Sequence, residues 1–443
     1  MRQETASLNH RAIFAIAGPI VLSNVTTPLL GIVDTAVIGQ LGDPKYIGGV
    51  ALGALIFTSV YWTFGFLRMG TTGLTAQARG AADEPELRAA LGRALLIALL
   101  GGGLLIALQW PLRFISFALL DGTAEVEALA RSYFDIRIWS APAALANYAL
   151  LGWFIGLERA RTALLLQVFL NGLNIALDFW FVAGLGWGVA GIAAGTLLAE
   201  LSAALLGVIV ALRYLRKSRK SEGGQWDWRR IMARAPLLRT IAINRDIFIR
   251  TVALLAAFAW FTAQSAKAGN VVLAANAILL QFVSVSAYFL DGFAFAAEVF
   301  VGKAIGARDP RALLAAVRLS GIWAAAMAIL ISLAYLLSGA VLIDLLTIDP
   351  DVRGMGREFL GWAVAMPIVS VWCFLLDGIF IGATRGPEMR NASLASTGIF
   401  LLLWWALLPL GIDGLWLAFL LFNVTRAVTL GAYFPRLVRG LQV

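Results

Sequence analysis

Trp323–Leu337 reads WAAAMAILISLAYLL, an apolar run without a single charge. Runs of the same kind recur along the chain, among them Leu95–Leu108 (LLIALLGGGLLIAL) and Ala193–Leu212. With their short polar flanks, many reach the ~20 residues that cross a ~30 Å hydrocarbon core at 1.5 Å per residue. Ten-residue alternation of apolar and polar side chains, the mark of a membrane barrel, is not seen. The composition agrees. Of 443 residues, 60% are hydrophobic and only 14% charged, with a mean hydropathy of +0.83. A soluble chain with that ratio would expose far too much apolar surface.

The expected fold is therefore an all-α polytopic membrane protein of about twelve transmembrane helices. The spans fall near 12–41, 47–78, 88–110, 127–156, 162–184, 188–213, 237–266, 271–304, 312–342, 352–382, 389–410 and 413–434. Lysine and arginine placement sets the expected orientation. The segment between spans six and seven carries Arg213, Arg216, Lys217, Arg219, Lys220, Arg229, Arg230, Arg234 and Arg239. Loops on the same side hold Arg79, Arg88, Arg159, Arg161, Lys303, Arg308, Arg311, Arg385 and Arg390. Opposite loops carry few basic residues (Lys45, Arg113, Lys267) and several acids (Asp121, Glu125, Asp344, Asp349, Asp351). Both termini are expected to face the cytoplasm, and the net charge of +9 follows from this bias. Basic residues spread over loops do not make a nucleic-acid surface. The start, Met1-Arg2-Gln3-Glu4, leads into a long first span rather than a cleavable signal.

One cysteine, Cys373, rules out an intramolecular disulfide and reads as a small buried filler within a span. The one histidine, His10, excludes a His-clustered metal site within one chain. No cofactor is expected. With no HExxH, GxGxxG or GxSxG context, a membrane-embedded enzyme is not the reading either.

The chain repeats itself. RGAADEPELRAAL (Arg79–Leu91) resembles IGARDPRALLAAV (Ile305–Val317), with Gly80 on Gly306 and Asp83 on Asp309, 226 positions apart. GWFIGLERAR (Gly152–Arg161) resembles GIFIGATRGP (Gly378–Pro387) at the same offset, as does Trp187–Gly191 with Asp413–Leu417. Two homologous bundles follow, 1–213 and 237–443, joined by a basic cytoplasmic linker at 214–236. An even number of spans in each inserts both in the same orientation, so their axis of pseudo-symmetry should lie along the membrane normal with a central cleft between the halves. The offset also exposes a difference. Asp34 corresponds to Trp260 and Asp178 to Trp404, so whatever the two acids do belongs to the N-terminal half.

An ionised carboxylate in mid-membrane costs ~2.5–3.5 kcal/mol on insertion scales and is a functional hypothesis by default. Counted at 1.5 Å per residue from the outer ends of their spans, Asp34, Asp178 and Thr196 lie at roughly 10, 9 and 12 Å depth. Three helices thus bring polar groups to one level. On span five, Gln167, Asn171, Asn174 and Asp178 follow a 4-3-4 spacing that aligns them on one face. Two carboxylates among neutral oxygens suit a small cation, either Na⁺ or a proton. Pro19 and Pro28 allow span one to bend, because each removes a backbone hydrogen bond. Arg68, Arg250, Asp291, Glu298, Asp377 and Arg426 are further intramembrane charges. They read as cross-helix pairs or, for Asp377 above all, as substrate-handling groups.

These residues resemble a known family. Pro28 and the run Val33-Asp34-Thr35-Ala36-Val37-Ile38-Gly39, Asn174-x-x-x-Asp178, Gly188-Val189-Ala190-Gly191, and Gly306-Ala307-Arg308-Asp309 are similar to the multidrug and toxic compound extrusion (MATE) transporters. Leu290-Asp291-Gly292-Phe293-Ala294, Leu376–Arg385 and Ile243-Asn244-Arg245-Asp246-Ile247 look like its DinF branch. The resemblance covers essentially the whole chain. It implies outward-open, V-shaped paired lobes that export organic cationic or amphipathic compounds in exchange for H⁺ or Na⁺. It also implies an N-lobe cation site at Asp34, Asn174, Asp178 and Thr196. Another branch uses a C-lobe pair of acids on spans seven and ten. Asp377 matches the span-ten member, but Arg250 stands near the span-seven position, which weakens such a site here.

The expectation is then a cation-coupled multidrug efflux antiporter of the bacterial cytoplasmic membrane, acting as a monomer among membrane lipids. Coupling lies at Asp34, Asn174, Asp178 and Thr196, and Gln167, Asn171 and Asp377 are candidates for the substrate cleft. The alternative is a lipid-linked precursor or polysaccharide flippase of related architecture, whose cleft should present several Arg or Lys to a pyrophosphate.

Overall fold

The computed structural model describes residues 8–120, 122–217 and 226–442, which leaves Asp121, Arg219 and Lys220 of the loop assignments outside the described residues. These residues form helices and turns, with no strand among them. Each expected span corresponds to a helical stretch. Span one is α1 (His10–Gly39); span two is α2 (Pro44–Thr63) followed by α3 (Phe66–Gly80); span three is α4 (Glu84–Ala107), after which comes the short α5 (Gln109–Leu119). Span four is α6 (Ala124–Arg137) and α7 (Ala141–Gly156), span five α8 (Ala160–Asp178) and span six α9 (Gly188–Lys217). After the short α10 (Trp228–Ile231) follow α11 (Arg234–Lys267), α12 (Asn270–Gly306), α13 (Pro310–Leu346), α14 (Pro350–Gly382), α15 (Gly386–Ala406), α16 (Gly411–Gly431) and α17 (Phe434–Gln442). Among the described residues, eleven stretches are long and apolar enough to cross a membrane. The remaining expected span is the 21-residue α15.

Packing divides the chain into two units. One, here the N unit, comprises Leu22–Arg79 and Asp83–Ile241; the other, the C unit, comprises the residues up to Val21, Gly80–Ala82 and those from Ala242 on. Helix α1 therefore changes units at Val21/Leu22, between Pro19 and Pro28. It is helical through both prolines; the side chain of Pro28 is outside the described residues. In the C unit, Phe14 packs edge-on against Phe293 and Trp323, and Trp323 Nε1 donates to His10 Nδ1 at 3.0 Å. Burial of apolar side chains, not helix propensity, holds this first half of α1 in place.

The N unit is built around Val37, Ile38, Ile56, Phe57, Tyr61, Tyr133, Phe134, Leu145 and Ile192. The linker helix α10 is stapled to it. Arg230 reaches Asp83 at 2.7 Å and Glu86 at 3.4 Å, and its carbonyl accepts from Arg93. In the C unit the core is aromatic, with Phe261, Phe400, Trp416, Phe419 and Phe422 in successive ring contacts. In the loop after α1, Asp43 caps α2, and the hydrogen bonds it accepts from Lys45 hold its carboxyl below the usual aspartate range.

The duplication is repeated in the backbone. Helices α3 and α12 end in left-handed residues, Ala82 and Arg308, both at φ 53°. Helices α7 and α14 end likewise at Glu158 (63°) and Thr384 (53°). Each turn is closed by a matching hydrogen bond: Asp83 N to Ala78 O and Asp309 N to Ala304 O, Arg159 N to Phe154 O and Arg385 N to Phe380 O. These are helix-terminating turns of the Schellman type, adopted here by non-glycine residues despite the steric cost of ~1–2 kcal/mol. Asp83 and Asp309 then cap the next helix, accepting from Glu86 N and from Arg311 N and Ala312 N. Even a close helix crossing recurs. A Cβ on Gly156 would press on Thr72 O, and one on Gly382 would overlap Glu298 O; all four positions are related by the same 226-residue offset.

Candidate functional site

The four residues expected to hold a cation lie together in the N unit. Asp178 is the last residue of α8, and the chain continues as a π-helix over Phe179–Gly184. Such insertions into α-helices are frequent at functional sites. Asp178 and Asn174 are both fully buried, at 0% exposure. Asp34, from α1, is the immediate side-chain neighbour of Asp178. Neither oxygen of Asp178, nor Oδ1 of Asp34, has a hydrogen-bond partner. Two ionised carboxylates have no hydrogen to share, and side by side in a low-dielectric interior they repel. One proton or one small cation removes both problems.

The surrounding groups are neutral oxygens. Asn174 Nδ2 donates to Thr196 Oγ1 at 3.3 Å, which aims the amide and leaves Asn174 Oδ1 buried without a partner. Thr196 Oγ1 in turn donates to Ile192 O at 2.9 Å. Towards the other end of α8, Gln167 Nε2 donates to Asn171 Oδ1 at 3.0 Å, and Asn171 Nδ2 to Thr26 Oγ1 of α1 at 3.3 Å. The polar face of α8 thus meets α1 at Asn171 and Asp178, and α9 at Asn174. Among the described residues, no cluster of three or more His, Cys, Asp or Glu could hold a metal, so a cation here would rest on two acids plus amide and hydroxyl oxygens.

Helix α9 is shaped to fit. Gly195 faces Asp178, and a Cβ there would overlap Asp178 Oδ1. The obstructed atom is the tip of a short side chain, so Gly195→Ala should displace the carboxylate rather than unfold the helix pair. The expected result is a drop of about ten-fold in ion-coupled transport with an unchanged yield of membrane-inserted protein, the factor corresponding to ~1.4 kcal/mol. Full activity in Gly195→Ala would show that the position of the Asp178 carboxyl is not critical.

Two charged residues missing from the sequence reading lie beside this site. Arg137 ends α6, and its guanidinium makes a fork to Glu200 of α9, with both hydrogen bonds at 2.7 Å. Arg137 lies under the rings of Phe57 and Tyr61, with 5.4 Å to each centroid. The signal was present in the sequence as an unpaired-looking charge in each of two spans. Span four breaks at this point into a 3₁₀ turn over Ile138–Ser140 ahead of Pro142, which lacks a backbone donor.

In the C unit, Asp377 is held between two arginines. Its Oδ2 accepts from Arg250 and, at 2.6 Å, from Arg426. All three are buried, so this acid has cross-helix partners, the pairing that the intramembrane charges suggested. Arg426 also reaches Asn423, which accepts from Cys373; Cys373 is buried. Trp260 and Trp404 occupy the positions equivalent to Asp34 and Asp178.

Comparison with known proteins yields one family. The MatE family model matches twice, at residues 19–180 and 247–405, once in each half. The DNA damage-inducible protein F of Escherichia coli (strain K12) is 42% identical over 430 residues, 96% of this chain and 92% of that protein. A probable multidrug resistance protein NorM of Rhizobium meliloti (strain 1021) is 28% identical, covering 98% and 94% of the two chains. Among solved structures, a MATE in the bent conformation superposes with TM-score 0.87 at 19% identity, covering 98% of this chain and 96% of that one. A MOP superfamily transporter from Pyrococcus furiosus gives 0.85 at 19%, covering 98% and 97%. At that identity the structures speak for the fold alone.

Proposed function

This chain belongs to the MATE family of membrane transporters, and we propose that it is a multidrug efflux antiporter exporting organic cationic or amphipathic compounds in exchange for H⁺. The observation that carries this reading is the pair Asp34–Asp178, two neighbouring acids whose inward oxygens have no hydrogen-bond donor. Two acids without a donor attract added positive charge, so an organic cation and a proton compete for this site. A proton on Asp34 or Asp178 removes one of the two negative charges, weakens the hold on the drug and so releases it. Asn174 and Thr196, hydrogen-bonded to each other, supply neutral oxygens at the site, while Gln167 and Asn171 offer amides to the substrate. Exchange of one proton for one monovalent cation moves no net charge, so ΔpH drives it, and each pH unit, ~1.4 kcal/mol, supports a ten-fold concentration ratio.

Na⁺ is the second reading, favoured by one feature: the unpartnered Asn174 Oδ1, an oxygen that a proton does not need and a metal ion does. Flippase chemistry is disfavoured because the site in the N unit presents two acids, and the arginine nearest it, Arg137, is already forked to Glu200. Helix α1 is the element we assign to conformational change. It links the two units, changes between them next to Pro19, and carries Asp34 in its far half. We place the protein in the bacterial cytoplasmic membrane as a monomer with both termini cytoplasmic.

The test is transport by the purified chain in proteoliposomes under an imposed ΔpH or ΔpNa. Adding an organic cation such as ethidium to vesicles with a proton gradient is expected to dissipate that gradient, read with a pH-sensitive dye. A response to ΔpNa alone would replace H⁺ by Na⁺, and no response to either would remove the antiport reading.

A further inference from the structure

Glu200 lies one helical turn after Thr196 on α9, and Arg137 one turn after Tyr133 on α6. Positions i and i+4 share a face and differ in height by about 6 Å. Each helix therefore carries a neutral group, Thr196 hydrogen-bonded to Asn174 or Tyr133 packed on Phe57, and a charge one turn further along. Tyr133 is buried and within electrostatic reach of both Asp34 and Arg137. The Arg137 guanidinium itself acts on Asp34 and on Asp178 across this short span.

Arg137 is also held so that it could respond. Its two terminal nitrogens are engaged by Glu200 and Ser140, whereas its Nε is buried without a partner. Phe57 and Tyr61 stabilise its charge without fixing a hydrogen-bond direction. Glu200 is tethered more firmly, since its own backbone carbonyl accepts from Asn147 Nδ2 of α7 at 3.1 Å. The titratable and charged groups around the pair are Asp34 of α1, Tyr61 of α2, Arg68 of α3, Tyr133 of α6, Tyr148 of α7 and Asp178 of α8. Arg137 and Arg68 are the cations in this set, and Arg137 is the one that acts on both site acids.

We infer that the Arg137–Glu200 pair is an internal counter-charge that sets how strongly Asp34 and Asp178 hold the coupling ion. Glu200 keeps Arg137 from neutralising the acids, so that the place is left to the incoming ion. When the acids are both ionised, Arg137 is drawn towards them; when they carry an ion, it returns fully to Glu200. Arg137 and Glu200 are positioning residues in this scheme, touching neither substrate nor ion. The inference rests on the antiport reading above.

Opposite signs test it. In Glu200→Gln, the freed guanidinium stabilises the ionised acids, so more coupling ion is required. The half-maximal concentration for ethidium release is expected to rise about ten-fold, one pH unit more acidic in the ΔpH assay, since an opposite charge nearby favours the ionised form by one to three units. In Arg137→Gln, the orphaned Glu200 adds negative charge, and the half-maximal concentration falls by a similar factor. The double variant Arg137→Gln with Glu200→Gln is expected within three-fold of wild type, because the two perturbations cancel. A merely structural pair would lower the amount of inserted protein without moving the midpoint. Should Glu200→Gln not accumulate, Glu200→Asp retains the charge but loosens the fork, and a two- to three-fold rise is expected. Midpoints unmoved in the accumulating variants, or moved in the same direction by both single substitutions, overturn the inference. A wild-type protein with no ion dependence defeats the antiport reading itself, and with it this one.

Discussion

Asp178→Asn is expected to abolish ion-coupled export, lowering drug-driven proton flux at least 100-fold, while the protein still inserts and folds. The argument is electrostatic. Asp178 is completely buried, with no hydrogen-bond donor to either oxygen, so its charge is a cost to the fold that a bound cation relieves. Asparagine has nearly the same shape and cannot ionise. It removes the binding charge and the buried liability together, so thermal stability should be equal to wild type or higher. A 100-fold loss corresponds to ~2.7 kcal/mol, within what one uncompensated intramembrane charge is worth. Asp34→Asn is expected to do the same, since the two acids act as one site. Wild-type transport in both variants would refute the assignment of the coupling site.

Asp377→Asn should behave in the opposite way, with fold lost before coupling. Asp377 is the shared acceptor of Arg250 and Arg426. Removing its charge leaves two buried guanidiniums facing each other. Breaking a buried ion pair by removing one partner costs about 3–5 kcal/mol, a large fraction of the stability of most domains. The expected outcome is a strong fall in melting temperature and in the amount of monodisperse protein in detergent. Protein that does fold should keep the wild-type ion midpoint. Unchanged stability together with altered drug selectivity would instead place Asp377 among the substrate-handling residues.

The contrast between these acids shows what a linear chain can and cannot reveal. Asp34 and Asp178 were legible because each is a rare charge in a span, and because helical rise alone puts them at one depth. The polar face of α8 was legible from spacing, since i, i+4, i+7 and i+11 must align on any helix. The duplication was legible as well, down to Gly156 and Gly382. Their close backbone crossings show why glycine stands at both positions.

Arg137 and Glu200 were not legible as a pair. They are 63 positions apart, on helices whose adjacency no periodicity specifies. Gly195 gave no signal either, because one glycine among 44 says nothing until the carboxylate it accommodates is known. Asp377 looked like Asp34 and Asp178, an acid in a span, and differs from them only in its neighbours.

The sequence by itself determined that this chain spans a membrane about twelve times, that its two halves repeat each other, and which half carries two unmatched acids. Those properties follow from hydropathy, helical period and offset, all local or additive along the chain. Tertiary structure alone decided which charges are compensated: Asp377 twice over, Glu200 by Arg137, and Asp34 and Asp178 by no fixed cation of their own. It also decided that the first turns of α1 pack with the C-terminal half. Compensation and packing depend on distances between helices, and in a low-dielectric interior a neighbour a few ångströms away changes what a carboxylate can do.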